Sequence, residues 1–103
     1  MIVPGDTPII ELSPRTCGPL LAKVNGGPVT ISEFGFALET FAHELQWVLG
    51  APDLATAECD GMEAIPTVAR QFGIRKAKTM RRVVQGAVTA HQAIYGDTIV
   101  CQN

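Results

Sequence analysis

The sequence predicts an α+β domain: a small N-terminal β-hairpin or sheet, then about four helices, including a helix-turn-helix-like pair. Three observations carry that expectation. Prolines and glycines crowd the first 29 residues and leave only short β-prone runs between them. From residue 30 onward, apolar residues recur at steps of three and four, the period of an amphipathic helix. Residues 64–96 then hold six basic side chains and no acidic one.

The N-terminal segment, residues 1–29, is broken by Pro4, Pro8, Pro14, Pro19 and Pro28. Between the breaks, "IIEL" and "LLAKV" read as short strands, and Asn25-Gly26 is a hairpin-type turn signal. Pro28 keeps any returning strand short or on an edge.

Residues 30–49 give the clearest helix. Thr30 and Glu33 have the spacing of a capping box, in which each side chain satisfies the other residue's backbone amide. Phe34, Leu38, Phe41, Leu45 and Val48 form one apolar stripe, widened by Ala37, Ala42 and Trp47. Gly50 and Pro52 stop it. Residues 30–62 are the expected helical core and dimerisation region.

Asp53 is placed to cap a short helix through "LATAEC", ended by Asp60-Gly61. Pro66 suits the first turn of the next helix, because its missing N–H is unbonded there anyway. That helix runs to Gly73, and a longer one follows from about Lys76 to Tyr95, with Met80, Val83, Ala87, Ala90 and Ile94 on its apolar side. "DTIVC" reads as a closing strand.

At 103 residues the chain fits one domain, residues 1–103, and 47% apolar against 17% charged residues describes a folded chain. No run approaches the length of a membrane span, and "MIVPGDTPII" has no basic leader, so a cytoplasmic location is expected. Cys17, Cys59 and Cys101 are odd in number and are expected to be reduced thiols.

Net charge is −2, which alone predicts no anionic partner, but the distribution is uneven. Residues 1–63 carry nine acidic side chains against Arg15 and Lys23. Arg70, Arg75, Lys76, Lys78, Arg81 and Arg82 lie in the basic helical segment, residues 64–96. Such asymmetry fits an anionic partner or two halves that attract each other.

"IPTVARQFGIRKAKTMRRVV", residues 65–84, resembles the helix-turn-helix of small bacterial and phage repressors. Ala69 takes the small position in the first helix, Phe72 packs before the turn, and Gly73-Ile74 form it. The resemblance implies a DNA-binding transcriptional regulator, a homodimer, with Arg75, Lys78 and Arg82 at base edges or phosphates and Arg70, Lys76 and Arg81 on the backbone. The sequence departs from the pattern after the turn. Arg75 stands where a capping Ser or Thr is usual, and Met80 and Val83 fall one place late, which calls for a turn one residue longer or a rotated second helix.

A competing reading pairs the cations with Glu33, Glu39, Glu44, Glu58 or Glu63, and a second makes the basic face a protein-interaction module for an acidic protein surface. Against simple pairing, the segment lacks the mixed signs of a solvated helix face.

Enzyme chemistry is not expected. His43-Glu44 opens like the zinc-protease motif, but Trp47 occupies the place of the second histidine. His43 is read as a hydrogen-bonded structural residue and His91 as a core or interface histidine. Cys59-Asp60 lacks a partner at catalytic spacing, no Cys-x₂-Cys pair exists, and "NGGP" lacks the lysine of a phosphate loop. No catalytic residue, metal or cofactor is assigned.

Overall fold

The computed structural model describes residues 10–101. Helix α1 spans Pro14–Val24, α2 Ile31–Val48, α3 Leu54–Gln71 and α4 Ala77–Tyr95. Among the described residues there is no strand, so the fold is all-helical and the expected α+β class is overturned. Residues 1–9, which hold the first part of the expected sheet, lie outside the described residues.

The N-terminal segment fails as a sheet because its punctuation belongs to a helix. Ser13 is the N-cap residue of α1 and Pro14 its first residue, where a missing N–H is harmless. "LLAKV" is the second half of this helix, and buried Thr16 and Leu20, one turn apart, lie on its inward face.

Asn25-Gly26 is a helix stop. Gly26 has φ +72°, the Gly27 amide donates to Ala22 O at 2.7 Å, and the Gly26 amide points at Lys23 O at 3.4 Å. That is a Schellman closure, with glycine in the left-handed region at the first position past the cap.

Helix α2 follows its prediction closely. Glu33 N donates to Thr30 Oγ1 at 3.0 Å, and Thr30 N donates to Glu33 Oε1 at 3.1 Å, closing the capping box. Phe34, Ala37, Leu38 and Ala42 are buried. Helix α2 is the central element, packing against α1, α3 and α4.

The two helices expected around Asp60-Gly61 and Pro66 are one. Asp53 caps it, with Thr56 N donating to Asp53 Oδ1 at 2.8 Å, and the helix continues through Gly61 and Pro66 to Gln71. Packing overrides the local break. Gly61 is buried against the α2 backbone, where an added Cβ would lie 2.9 Å from His43 N. Pro66 forgoes one helical hydrogen bond, while Ile65 beside it is fully buried.

Helices α2 and α4 meet at Gly35 and Gly86. A Cβ on Gly35 would come within 2.5 Å of Val83 O, so the backbones approach more closely than side chains permit. Val83, Ala87 and Ala90 continue this face of α4, whereas Ile94, expected on it, is 49% exposed. The place of a fourth turn is taken by His91.

"DTIVC" forms no strand. Its Ile99 is buried, and Cys101 is joined to Cys59 by a disulfide that fastens the C-terminal tail to α3. This overturns the expectation of reduced thiols for that pair; Cys17 is free.

Candidate functional site

Two features carry chemistry, and they differ in kind: an exposed basic ridge around the turn from α3 to α4, and a buried carboxylate–histidine cluster between α2, α3 and α4.

The ridge depends on the bend at Gly73. Gly73 has φ +93°, its amide donates to Arg70 O at 3.0 Å, and the Ile74 amide donates to Ala69 O at 3.1 Å. This is the closure seen at Gly26, here with buried Ile74 as its apolar anchor. Phe72 sits edge-on to Phe34 at 5.5 Å and to Phe41 at 6.1 Å, which ties the turn to α2. Helix α4 begins at Ala77, three residues after Ile74.

All six predicted cations are exposed. Arg70 lies in the last turn of α3, Arg75 and Lys76 in the turn, and Lys78, Arg81 and Arg82 on the first turns of α4. Spacings of three and four put those last three on one side. Arg75 folds back, its guanidinium donating to Arg70 O at 3.0 Å, which makes it a cap for α3 as well as part of the ridge.

Of the acids expected to pair with this ridge, Glu39 and Glu58 are buried elsewhere and Glu33 is held in its capping box. The ion pairs between described residues are those of Glu58 with His43 and His91. Lys76, at the N-cap of α4, makes no side-chain cap, and the first turn carries no acidic residue. The free amides of that turn therefore add to the positive potential of the ridge.

The buried cluster was not anticipated as a unit. Glu58 has no exposed surface. Its Oε1 lies 2.7 Å from His43 Nδ1, and its Oε2 lies 2.6 Å from His91 Nδ1. His91 Nε2 lies 2.9 Å from Ile99 O, an atom that can only accept, so this nitrogen carries a proton. The His43 ring is stacked against Tyr95, with planes 3° apart and centroids 6.2 Å apart.

Burial, reinforced by the hydrogen bond to Glu58 and by its charge, pushes Glu39 up to about 9. Glu58 moves the other way. Burial alone would raise it, but hydrogen bonds from Glu39, His43 and His91 outweigh burial and hold it below the ordinary carboxylate value. The pair thus shares one proton, carried by Glu39 and donated to ionised Glu58. Burial and the nearby Glu58 and Glu39 carboxylates push the Tyr95 phenol up to about 12.

Two signals in the sequence bear on this cluster. Glu39 and His43 are four apart, hence one above the other on α2, and His91 falls one place past Ala90 on the apolar face of α4. Glu58 gives no such signal, because its burial follows from the unbroken α3. No protein-family model matches the chain, and no curated protein or solved structure resembles it closely enough to match.

Proposed function

We propose that the chain is a binding protein for duplex DNA, a regulator of the helix-turn-helix kind, acting through the basic ridge at the α3–α4 turn. One observation carries the reading: six exposed cations, unpaired among the described residues, gather around a helix N-terminus that has neither an acidic residue nor a side-chain cap. An array of this kind attracts a polyanion, because each phosphate neutralised releases condensed counterions.

The local geometry adds support. Ala69 is fully buried, Gly73 takes the left-handed turn position, and Ile74 is buried behind it. These are the roles a close helix-turn-helix crossing assigns to a small residue, a glycine and an apolar anchor. In this reading Lys78 and Arg82, one turn apart on α4, meet phosphates or base edges. Arg70, Lys76 and Arg81 hold the backbone, and Arg75 does so while keeping its bond to α3. A homodimer would present two such ridges to two half-sites.

Titration of a mixed-sequence duplex, followed by fluorescence anisotropy, tests the reading. Raising salt from about 50 to 200 mM should weaken binding about a hundred-fold if some four phosphates are contacted. Replacing Lys78 and Arg82 together by Glu, at exposed positions, should abolish binding without changing the helical circular dichroism. No binding at the lower salt, or binding indifferent to the double replacement, would sink the reading; tight capture of an acidic protein instead would give the ridge to protein interaction. A DNA-binding role carries a cytoplasmic setting with it, where reductant reaches Cys59–Cys101, so both redox states are titrated.

A further inference from the structure

The carboxylate–histidine cluster has a composition that hydrogen bonding in the core does not require. One acceptor would satisfy His43 and His91, yet α2 and α3 bring two carboxylates to the same buried point. Two carboxylates packed together must either share a proton or hold a cation between them, and a divalent ion bound here would displace the proton that Glu39 carries. One ligand-capable atom from each of Glu39, His43 and Glu58 lies within 4.8 Å of the others. Both glutamates and His43 are more than nine-tenths buried.

We propose that Glu39, His43 Nδ1 and Glu58 Oε1 form a binding site for a single divalent transition-metal ion of the zinc class, with His91 positioning Glu58 through its other oxygen. Two carboxylates and one imidazole around a doubly charged ion make an electrically neutral set, and their mixture suits zinc and its neighbours rather than calcium. Bonds of about 2.1 Å in tetrahedral geometry separate ligand atoms by roughly 3.4 Å. His43 Nδ1 and Glu58 Oε1, now 2.7 Å apart, therefore open by a fraction of an ångström. Glu39 closes in by side-chain rotation.

The surroundings have the outer-shell bonds such a site uses. His91 holds Glu58 Oε2 at 2.6 Å and is itself oriented by Ile99 O at 2.9 Å. Ile99 is fixed in turn by burial and by the Cys59–Cys101 disulfide two residues on. A cleft of about 480 Å³ ends at His91, behind Glu58 and short of the three ligands, and Asp60, Glu63 and Asp97 stand along it. All three are exposed acids that draw cations toward the cluster.

The test uses the full chain with Cys17→Ser, which removes the free thiol as a competing ligand. Protein is incubated with zinc or cobalt chloride alone, desalted and assayed for bound metal. The expected result is about one ion per chain, with a ligand-field band in the cobalt form. X-ray absorption should show only nitrogen and oxygen scatterers, at about 2.0–2.2 Å. Glu39→Gln keeps a hydrogen-bond donor toward Glu58 and should weaken binding about a hundred-fold. Failure of the wild-type ligand set to retain metal, a sulfur scatterer, or full retention by a folded Glu39→Gln variant would each overturn the site. If that variant does not fold, the absorption spectrum of the parent protein decides alone.

Discussion

Glu58 has no exposed surface and accepts hydrogen bonds from histidines 15 and 33 positions away in sequence. Such a residue is stable only while its partners are present. Among the described residues no buried side-chain polar atom lacks a hydrogen bond, so removing Glu58 creates at least two unsatisfied groups at once. Glu58→Ala is expected to lose about 3–5 kcal/mol, measured by urea unfolding of the metal-free chain. A loss under about 1 kcal/mol would show that the cluster is not what it looks like.

The exposed caps behave more gently. Backbone and side-chain hydrogen bonds with Thr56 hold the Asp53 carboxylate below its ordinary value. A depressed carboxylate stabilises the native state above the unfolded pKa, and the gain fades as pH falls through the native one. The melting-temperature advantage of wild type over Asp53→Asn should therefore be constant above about pH 5 and shrink in acid. At this scale the caps were legible, because a cap is decided within four residues. Glu58 was not, because its surroundings come from three helices.

At the scale of elements, the same stop occurs three times. Gly26, Gly50 and Gly73 each follow a helix with φ between +72° and +94°, and the next amide reaches back to a carbonyl of the last turn. The glycines were read as boundaries and are boundaries. What changed is the kind of element that Gly26 bounds, since a short apolar run before a glycine fits a strand or a helix end equally. Pro19 and Pro66 misled for a related reason. Each lies inside a helix, a position that propensity opposes by about 3 kcal/mol and that packing nevertheless secures.

Glycine at the α2–α4 crossing has a different role from glycine in α1, and the difference is measurable. A Cβ at Gly35 meets Val83 O at 2.5 Å, whereas a Cβ at Gly18 meets nothing within 4 Å. Gly35→Ala should cost about 1–3 kcal/mol as the helices are forced apart. Gly18→Ala, exposed in mid-helix, should add about 0.5–1 kcal/mol. Equal effects in thermal melts would contradict the close crossing.

Over the whole molecule, α2 serves as the post against which the other three helices lean, and the disulfide closes the far end. A cross-link spanning 42 residues restricts the unfolded chain by about 4 kcal/mol in loop-entropy terms. Reductant should lower the melting temperature accordingly, and Cys101→Ser should melt at the reduced value with or without it. The basic ridge lies at the α3–α4 turn, whereas the disulfide ties α3 to the C-terminal tail, so reduction is expected to lower stability more than the DNA affinity proposed for the ridge. By itself the sequence determined where α2 starts and stops, that Asp53 opens a helix, that the chain turns at Gly73 before a long last helix, and that a run of cations without acids surrounds that turn. These are local properties of capping, period and charge. Only the tertiary structure decided that the N-terminal segment is helical, that α3 runs unbroken through Pro66, that Cys59 meets Cys101, and that Glu39, His43, Glu58 and His91 share one buried site. Those outcomes depend on which surfaces find each other across tens of residues, and burial there outweighs any preference a short stretch of chain expresses alone.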